Sequence, residues 1–220
     1  MAETTQTATA PRNLPRLNEE APSFKANSTH GEITLEQFKG KWVVLFSHPA
    51  DFTPVCTTEF VEFAKHQDDF NRLNTQLIGL SIDSIYAHIA WVRKIEELFS
   101  VKVAFPVIAD LDMKVAQSYG MIHPGASDTA TVRTVFVIDD KAKVRTMIYY
   151  PMTNGRSIQE VLRIVTALQC SDKNAIATPA EWKDGDKVIV PPPKTCADAE
   201  KRAADKSLEV RDWWFSQKKL

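Results

Sequence analysis

Apolar runs alternate with helical periods along most of the chain. Residues 42–46 form a short unbroken apolar run of the kind found in strands buried on both faces, and residues 77–82 are a second strand candidate. Residues 54–73 and 84–98 instead space their apolar side chains as amphipathic helices do. Strands that alternate with helices predict an α/β sandwich with a mixed central sheet.

The second half of the chain continues this pattern and then changes character. Residues 134–138 and 144–149 are rich in β-branched and aromatic residues and flank the polar turn Asp139-Asp140-Lys141, which predicts a β-hairpin. Residues 157–168 follow as a capped amphipathic helix. Beyond about residue 175 the chain is polar, with three consecutive prolines as an extended spacer and a charged segment, 194–212, that suits a solvated helix.

Three regions follow from these shifts in composition. Residues 1–16 are rich in Thr and Ala and are predicted to form a flexible tail, residues 17–175 a folded domain, and residues 176–220 a C-terminal arm. The arm carries three adjacent aromatic residues, 213–215, which would be an aggregation hazard if left exposed. They either pack on the chain's own domain or reach a second subunit, and the sequence leaves both open.

Charge and length exclude several classes of protein. The 220 residues contain 27 Lys and Arg against 28 Asp and Glu, so nothing favours a nucleic acid or an anionic membrane as partner. No uninterrupted apolar segment reaches the roughly 18 residues of a membrane span. The N-terminus has no apolar signal region, which argues against secretion, whereas Arg12 and Arg16 make a mitochondrial presequence the weaker alternative to a cytoplasmic location.

The three cysteines are too few and too widely spaced for a disulfide framework or a Cys-x-x-Cys zinc pair, which favours a reducing compartment. No cofactor or metal is predicted. Cys170 ends an amphipathic helix and Cys196 lies in the polar arm. Only Cys56 lies at a position that would activate a thiol. Thr53 suits an N-cap and Pro54 suits the first helical position, so Cys56 then lies in the first turn of a helix. There the free N–H groups and the helix dipole favour the nucleophilic thiolate.

The residues around Cys56 resemble a known family. The spacing of Pro49, Thr53 and Cys56 resembles the peroxiredoxin active-site motif, and residues 46–59 resemble its one-cysteine branch. Residues 133–139 resemble the family's second signature, which supplies an active-site arginine. Further likenesses, which extend the resemblance over about residues 17–190, are Ser81-Ile-Asp83, Tyr149-Tyr-Pro151 with Gly155-Arg156-Ser157, and residues 179–186.

This resemblance implies a thioredoxin-like fold and an antioxidant peroxidase without a cofactor. Cys56 would attack the hydroperoxide and become a sulfenic acid, while Thr53 and Arg133 would hydrogen-bond the reacting atoms. Pro49 would wall the pocket against water, and Glu59 would hold the arginine. His48 would lie beside the pocket, with a purely structural histidine as the competing interpretation.

Departures from the family pattern define the subtype. Two-cysteine relatives carry a resolving cysteine where this chain has Thr178, so the sulfenic acid would need an external thiol, either a small thiol or a redoxin. Cys170 is predicted to be structural, and Cys196 could resolve only if the arm reached Cys56. Relatives of this type exchange C-terminal segments, which predicts a homodimer with residues 176–220 at its interface.

Three other functions compete with a peroxidase. A thioredoxin-type oxidoreductase needs Cys-x-x-Cys, but Cys56 is followed by Thr-Thr-Glu. A cysteine hydrolase would pair Cys56 with one of the five histidines, none of which stands in a protease-like signature. A non-enzymatic holdase would keep its full protective activity in a Cys56→Ser variant.

Overall fold

The structure, a computed structural model, describes residues 14–220. Most of the predicted tail, 1–16, and Arg12 of the alternative presequence therefore lie outside the described residues. The chain divides into two compact units, one ending at Ile158 and the other running from Gln159 to Leu220. This division falls earlier than the predicted domain boundary at 175, which stays a prediction.

The first unit is built on a seven-stranded sheet in the order β2-β1-β5-β4-β3-β6-β7. Its strands are β1 (Lys25–Ser28), β2 (Gly31–Thr34), β3 (Trp42–Ser47), β4 (Thr75–Ser81), β5 (Val107–Ala109), β6 (Arg133–Ile138) and β7 (Val144–Tyr150). Its helices are α1 (Pro54–Lys65), α2 (Gln67–Arg72), α3 (Ile85–Phe99) and α4 (Lys114–Ser118), with a 3-10 turn at Leu35–Phe38.

The sheet is mixed, as predicted. β3 pairs in parallel with β4 and antiparallel with β6, and every residue of β3 and β6 is buried, which explains the apolar runs within them. The predicted hairpin is confirmed as the antiparallel pair β6–β7. Because β6 runs opposite to β3, the first residue of β6 lies at the edge where β3 ends, and the chain after β3 enters α1 at that edge.

The predicted helix over residues 54–73 is two helices, α1 and α2, which meet at His66. An aromatic cluster packs α1 against the sheet: Phe46 of β3 stacks on Phe63 of α1 with ring centroids 4.0 Å apart. Phe60 of α1 in turn contacts Trp91 of α3 at 4.5 Å. These contacts fix the helix that carries Cys56.

The second unit contains α5 (Ile158–Asn174, which begins at the last residue of the first unit), α6 (Cys196–Ala203) and a three-stranded sheet in the order β8-β10-β9. The strands are β8 (Val188–Val190), β9 (Glu209–Asp212) and β10 (Phe215–Lys218). A small core of Ala167, Ile176, Trp182 and Val188 holds this unit, with Cys170 packed against it. The predicted C-terminal extension is thus a small sheet with one helix. None of the helices within residues 14–220 is long and apolar enough to cross a membrane.

Candidate active site

Cys56 is the third residue of α1 and is fully buried. Thr53 occupies the N-cap with extended backbone angles, and Pro54 is the first helical residue, so both predicted positions are confirmed. The Thr53 side chain, however, accepts no capping bond; its hydroxyl instead donates to the carbonyl oxygen of Ala50 at 2.9 Å. With its one proton used, Thr53 Oγ1 keeps its lone pairs as acceptors next to the cysteine turn.

Arg133 is the first residue of β6 and is brought to the sulfur by the antiparallel pairing with β3. Its Nη1 donates to Cys56 Sγ at 3.3 Å and to Glu59 Oε2 at 2.7 Å. Its Nε and Nη2 both donate to the carbonyl oxygen of Met152, at 3.0 and 2.7 Å. The guanidinium is therefore fixed from two sides and holds a permanent positive charge at the sulfur.

Glu59 lies one helical turn after Cys56 and accepts hydrogen bonds from two arginines. Its Oε1 accepts from the backbone and Nε of Arg156, each at 2.8 Å, and its Oε2 accepts from Nη2 of Arg156 and Nη1 of Arg133, each at 2.7 Å. Burial alone would raise the pKa of Glu59, but the charge and hydrogen bonds of Arg156, with a smaller share from Arg133, hold it below its usual value. The carboxylate is ionised.

Arg156 was missed as a site residue by the sequence reasoning, although it lies within a segment that resembles the family. Its Nη1 donates to the carbonyl oxygens of Ser47 at 2.9 Å and Thr134 at 2.6 Å, and so ties the end of β3 to the start of β6. Its guanidinium also lies over the Phe46 ring at 5.4 Å. The only local signal is an arginine between two turn-forming residues, which does not reveal a partner 97 residues away.

The charges of this buried group point to an anionic sulfur. Arg133 and Arg156 carry two positive charges and Glu59 carries one negative charge, all in a region closed to solvent. Uncompensated charge is costly there, and a thiolate at Cys56 brings the group to neutrality. The arrangement can therefore present a buried nucleophilic sulfur with a fixed hydrogen-bond donor beside it.

Pro49 and His48, the other two predicted site residues, lie next to each other just after β3. Pro49 is half-buried in the turn that follows β3, and its role as a wall of the pocket stays a prediction. His48 is fully buried, contacts Asp51 through Nε2 at 2.8 Å, and packs its ring against Phe60 at 4.8 Å. These contacts fit the structural interpretation of His48, while a role beside the peroxide stays a prediction.

One group within residues 14–220 has the composition of a metal site. The ligand atoms of His48, Asp51 and His88 all lie within 4.8 Å of one another. The two rings contact the carboxylate between them at 2.8 and 2.7 Å, distances at which the nitrogen atoms are hydrogen-bonded to it. The contacts of this trio are those of hydrogen-bonded side chains.

Two protein families match this chain. Residues 17–147 match the AhpC/TSA family, and residues 167–206 match the C-terminal domain of 1-Cys peroxiredoxin. A protein named peroxiredoxin from Aquifex aeolicus is 55% identical over an alignment of 219 positions, gaps included, and the alignment covers 94% of this chain and 98% of the relative.

Two solved structures are similar over nearly the whole chain. One concerns the thiol resolving mechanism of a yeast mitochondrial 1-Cys peroxiredoxin via glutathione/thioredoxin systems; it has a TM-score of 0.83 and 39% identity and covers 94% of this chain and all of that one. The other is a cysteine-to-serine mutant of the peroxiredoxin 6 of Arenicola marina, with a TM-score of 0.82 and 32% identity, covering 93% of this chain and 98% of that one. The predicted resemblance and the thioredoxin-like fold are confirmed.

Proposed function

The chain belongs to the AhpC/TSA family as a peroxiredoxin of the 1-Cys type, and from the geometry of its site we propose that Cys56 is the residue that attacks the peroxide. The protein is a thiol-dependent peroxidase that reduces hydrogen peroxide and organic hydroperoxides through a cysteine sulfenic acid, which an external thiol then reduces. The observation that carries the assignment to Cys56 is the Arg133 Nη1 donor 3.3 Å from its sulfur.

In the first step the Cys56 thiolate attacks the terminal peroxide oxygen. A sulfur–oxygen bond forms as the oxygen–oxygen bond breaks, so the sulfur is oxidised and the peroxide is reduced. The departing oxygen leaves as hydroxide or alkoxide and takes a proton to become water or an alcohol. The negative charge moves from sulfur to the leaving oxygen, and the guanidinium of Arg133 is fixed where it stabilises that charge.

Thr53 would set the direction from which the peroxide approaches. Since its hydroxyl proton is donated to Ala50, the lone pairs of Oγ1 can accept a hydrogen bond from the O–H of a hydroperoxide. Pro49, in the same turn, would keep water from the reacting atoms. Glu59 and Arg156 act through Arg133 and are positioning residues.

An external thiol would close the cycle by attacking the sulfenic sulfur and releasing water; a second thiol then frees Cys56 from the mixed disulfide. Cys170 is half-buried in the small core of the second unit, and Cys196 is the exposed first residue of α6. We expect peroxide consumption without added thiol to stop after about one equivalent per subunit, and glutathione or a thioredoxin system to restore it. Sustained turnover without any thiol would contradict this cycle.

A homodimer is proposed from the C-terminal aromatics. Trp213 and Trp214 are 43% and 54% exposed within the single chain, so its own fold does not bury them. Burying an aromatic side chain of this size contributes roughly 2–3 kcal/mol, which makes a partner's surface the favourable place for both.

Replacing both tryptophans should therefore weaken the dimer. We expect Trp213→Ser with Trp214→Ser to raise the dimer dissociation constant at least about a hundredfold in sedimentation analysis, because two apolar rings lose their burial. Leu111→Ser, at a side chain 65% exposed in the first unit, is the matched control. An unchanged dissociation constant in the double variant would show that these rings lie outside the interface.

A cytoplasmic location is also part of the proposal, supported by three free cysteines in the described part of the chain. A mitochondrial location is the alternative, since the similar yeast protein is mitochondrial. Fractionation of the source cells distinguishes the two.

A further inference from the structure

A buried charged cluster lies behind the turn that precedes Cys56. His48 follows β3, Asp51 lies within the turn, and His88 lies in the first turns of α3, with both histidines fully buried and Asp51 nearly so. Asp51 Oδ1 contacts His48 Nε2 at 2.8 Å, and Asp51 Oδ2 contacts His88 Nδ1 at 2.7 Å. The other nitrogen of His88 contacts the carbonyl oxygen of Ile108 at 3.0 Å.

These partners fix the protonation of the cluster. A carboxylate and a carbonyl oxygen can only accept, so both ring nitrogens of His88 must donate and the ring is an imidazolium. Burial opposes the charge of Asp51, but the hydrogen bonds from His48 and His88 outweigh it and hold its pKa below the usual value. Burial lowers the pKa of His48, which serves as a neutral donor through Nε2. Asp51 and His88 thus form a buried ion pair.

The turn that this pair holds is strained. Phe52, which directly follows Asp51, has a φ of +56°, in the left-handed region that residues with a side chain rarely adopt. Its side chain is 60% exposed, so packing contributes little to holding it there. Such a conformation persists only where neighbouring contacts impose it. Asp51 supplies most of the contacts on one side of Phe52: its side chain bonds His48 and His88, and its backbone N–H donates to Asp83 at 3.0 Å. The bond from the Thr53 hydroxyl to Ala50 closes the other side.

The turn leads directly into the reacting residues. Thr53 follows Phe52 and is bonded back to Ala50 within the turn. The carbonyl oxygen of Thr53 accepts from the backbone of Thr57 at 3.0 Å and so forms the first turn of α1, in which Cys56 lies. A change at Asp51 is therefore transmitted to Thr53 and Cys56 through two peptide units and one helical turn.

We propose that Asp51 and His88 are positioning residues, whose buried ion pair holds the left-handed turn at Phe52 and thereby sets Thr53 and Cys56 for attack on the peroxide. This role rests on the proposed function of Cys56. It predicts that removing the charge at Asp51 slows the attack, and that removing the strain at Phe52 restores it.

The test measures single-turnover oxidation of Cys56 by hydrogen peroxide in the full chain. Asp51→Asn keeps the size of the side chain and its capacity to bond both rings, but removes the charge. We expect it to slow the attack at least about tenfold, because charge-assisted hydrogen bonds are roughly twice as strong as neutral ones. Adding Phe52→Gly should recover most of that rate, since glycine adopts a positive φ without strain. Asp69→Asn is the matched control, since Asp69 accepts from His66 Nδ1 at 2.7 Å in a half-exposed setting.

The outcomes separate the two claims. A folded Asp51→Asn variant with the wild-type rate, or a slowed one that Phe52→Gly leaves slowed, would overturn the positioning role. Absence of Cys56 oxidation in the wild-type protein would instead overturn the proposed function itself. Should Asp51→Asn fail to fold, nitrogen-15 NMR of the wild type still decides: both ring nitrogens of His88 are expected to be protonated at neutral pH, and a neutral His88 ring would refute the ion pair.

Discussion

A Cys56→Ser variant is expected to lose all thiol-dependent consumption of hydrogen peroxide. The hydroxyl of serine stays protonated at neutral pH and is a far weaker nucleophile than a thiolate, so the fixed charge of Arg133 has no anion to act on. The serine is nearly the same size as the cysteine, so the surroundings of α1 should stay folded. The measurement is the steady-state rate with hydrogen peroxide and a thiol-regenerating system.

The other two cysteines supply the matched controls for this loss. Cys170→Ser and Cys196→Ser should keep most of the wild-type rate, because one side chain packs in the small core of the second unit and the other is exposed on α6. A residual rate above about one tenth in Cys56→Ser would contradict the assignment, since no second nucleophile is proposed. Full loss in Cys196→Ser would identify it as a resolving thiol.

An Arg133→Ala variant should attack peroxide at least about a hundredfold more slowly, which corresponds to about 2.7 kcal/mol of barrier. The change removes the donor 3.3 Å from the sulfur and the charge that balances the thiolate. Glu59 keeps the three hydrogen bonds of Arg156, so the carboxylate is not left unpaired. Stopped-flow oxidation of Cys56 gives the rate, and alkylation across a pH series reports the thiolate fraction.

Two further variants make this test specific. Arg133→Lys keeps a positive charge but cannot reach the sulfur, Glu59 and Met152 in the same planar geometry, so we expect a rate between those of wild type and Arg133→Ala. Arg72→Ala, at an exposed ion pair with Asp69, should leave the rate unchanged. An alkylation profile in Arg133→Ala identical to that of wild type would remove Arg133 from the site.

The parts of the fold that the sequence predicted well are those with a strong local pattern. β3 and β6 are buried along their whole length and apolar over most of it, and α3 carries its apolar side chains at helical spacing. The short strands β1, β2 and β5 escaped notice because three or four residues carry too little periodicity to distinguish a strand from a loop. Their pairing depends on distant partners.

In the C-terminal segment, too, the sequence pattern was too weak to distinguish a helix from a strand. Residues 194–212 read as one solvated helix, but only Cys196–Ala203 is helical, and Glu209–Asp212 pairs as a strand with Phe215–Lys218. Charged residues suit either state at a surface, so the choice is made by the strand partner across the turn.

The site residues that local sequence patterns predicted are close together along the chain, and the contacts that the sequence missed join distant residues. Cys56, Thr53 and Pro54 lie close together in sequence, so helix-capping rules place them correctly. Arg156 reaches Glu59 across 97 residues and His88 reaches Asp51 across 37, contacts that only the folded sheet brings together. Even at Thr53 the capping rule predicts the position but not the bond, because the hydroxyl is turned toward the Ala50 carbonyl oxygen, to which it donates.

The central claim is that a single sulfur, that of Cys56, takes the oxygen atom from the peroxide. It is tested most directly by treating the reduced protein with one equivalent of hydrogen peroxide, trapping sulfenic acid with dimedone, and locating the adduct by peptide mass spectrometry. We expect a dimedone adduct on the peptide that contains Cys56, with Cys170 and Cys196 still free thiols. An adduct confined to another cysteine would contradict it, whereas a disulfide between Cys56 and either of the other two would contradict only the need for an external thiol.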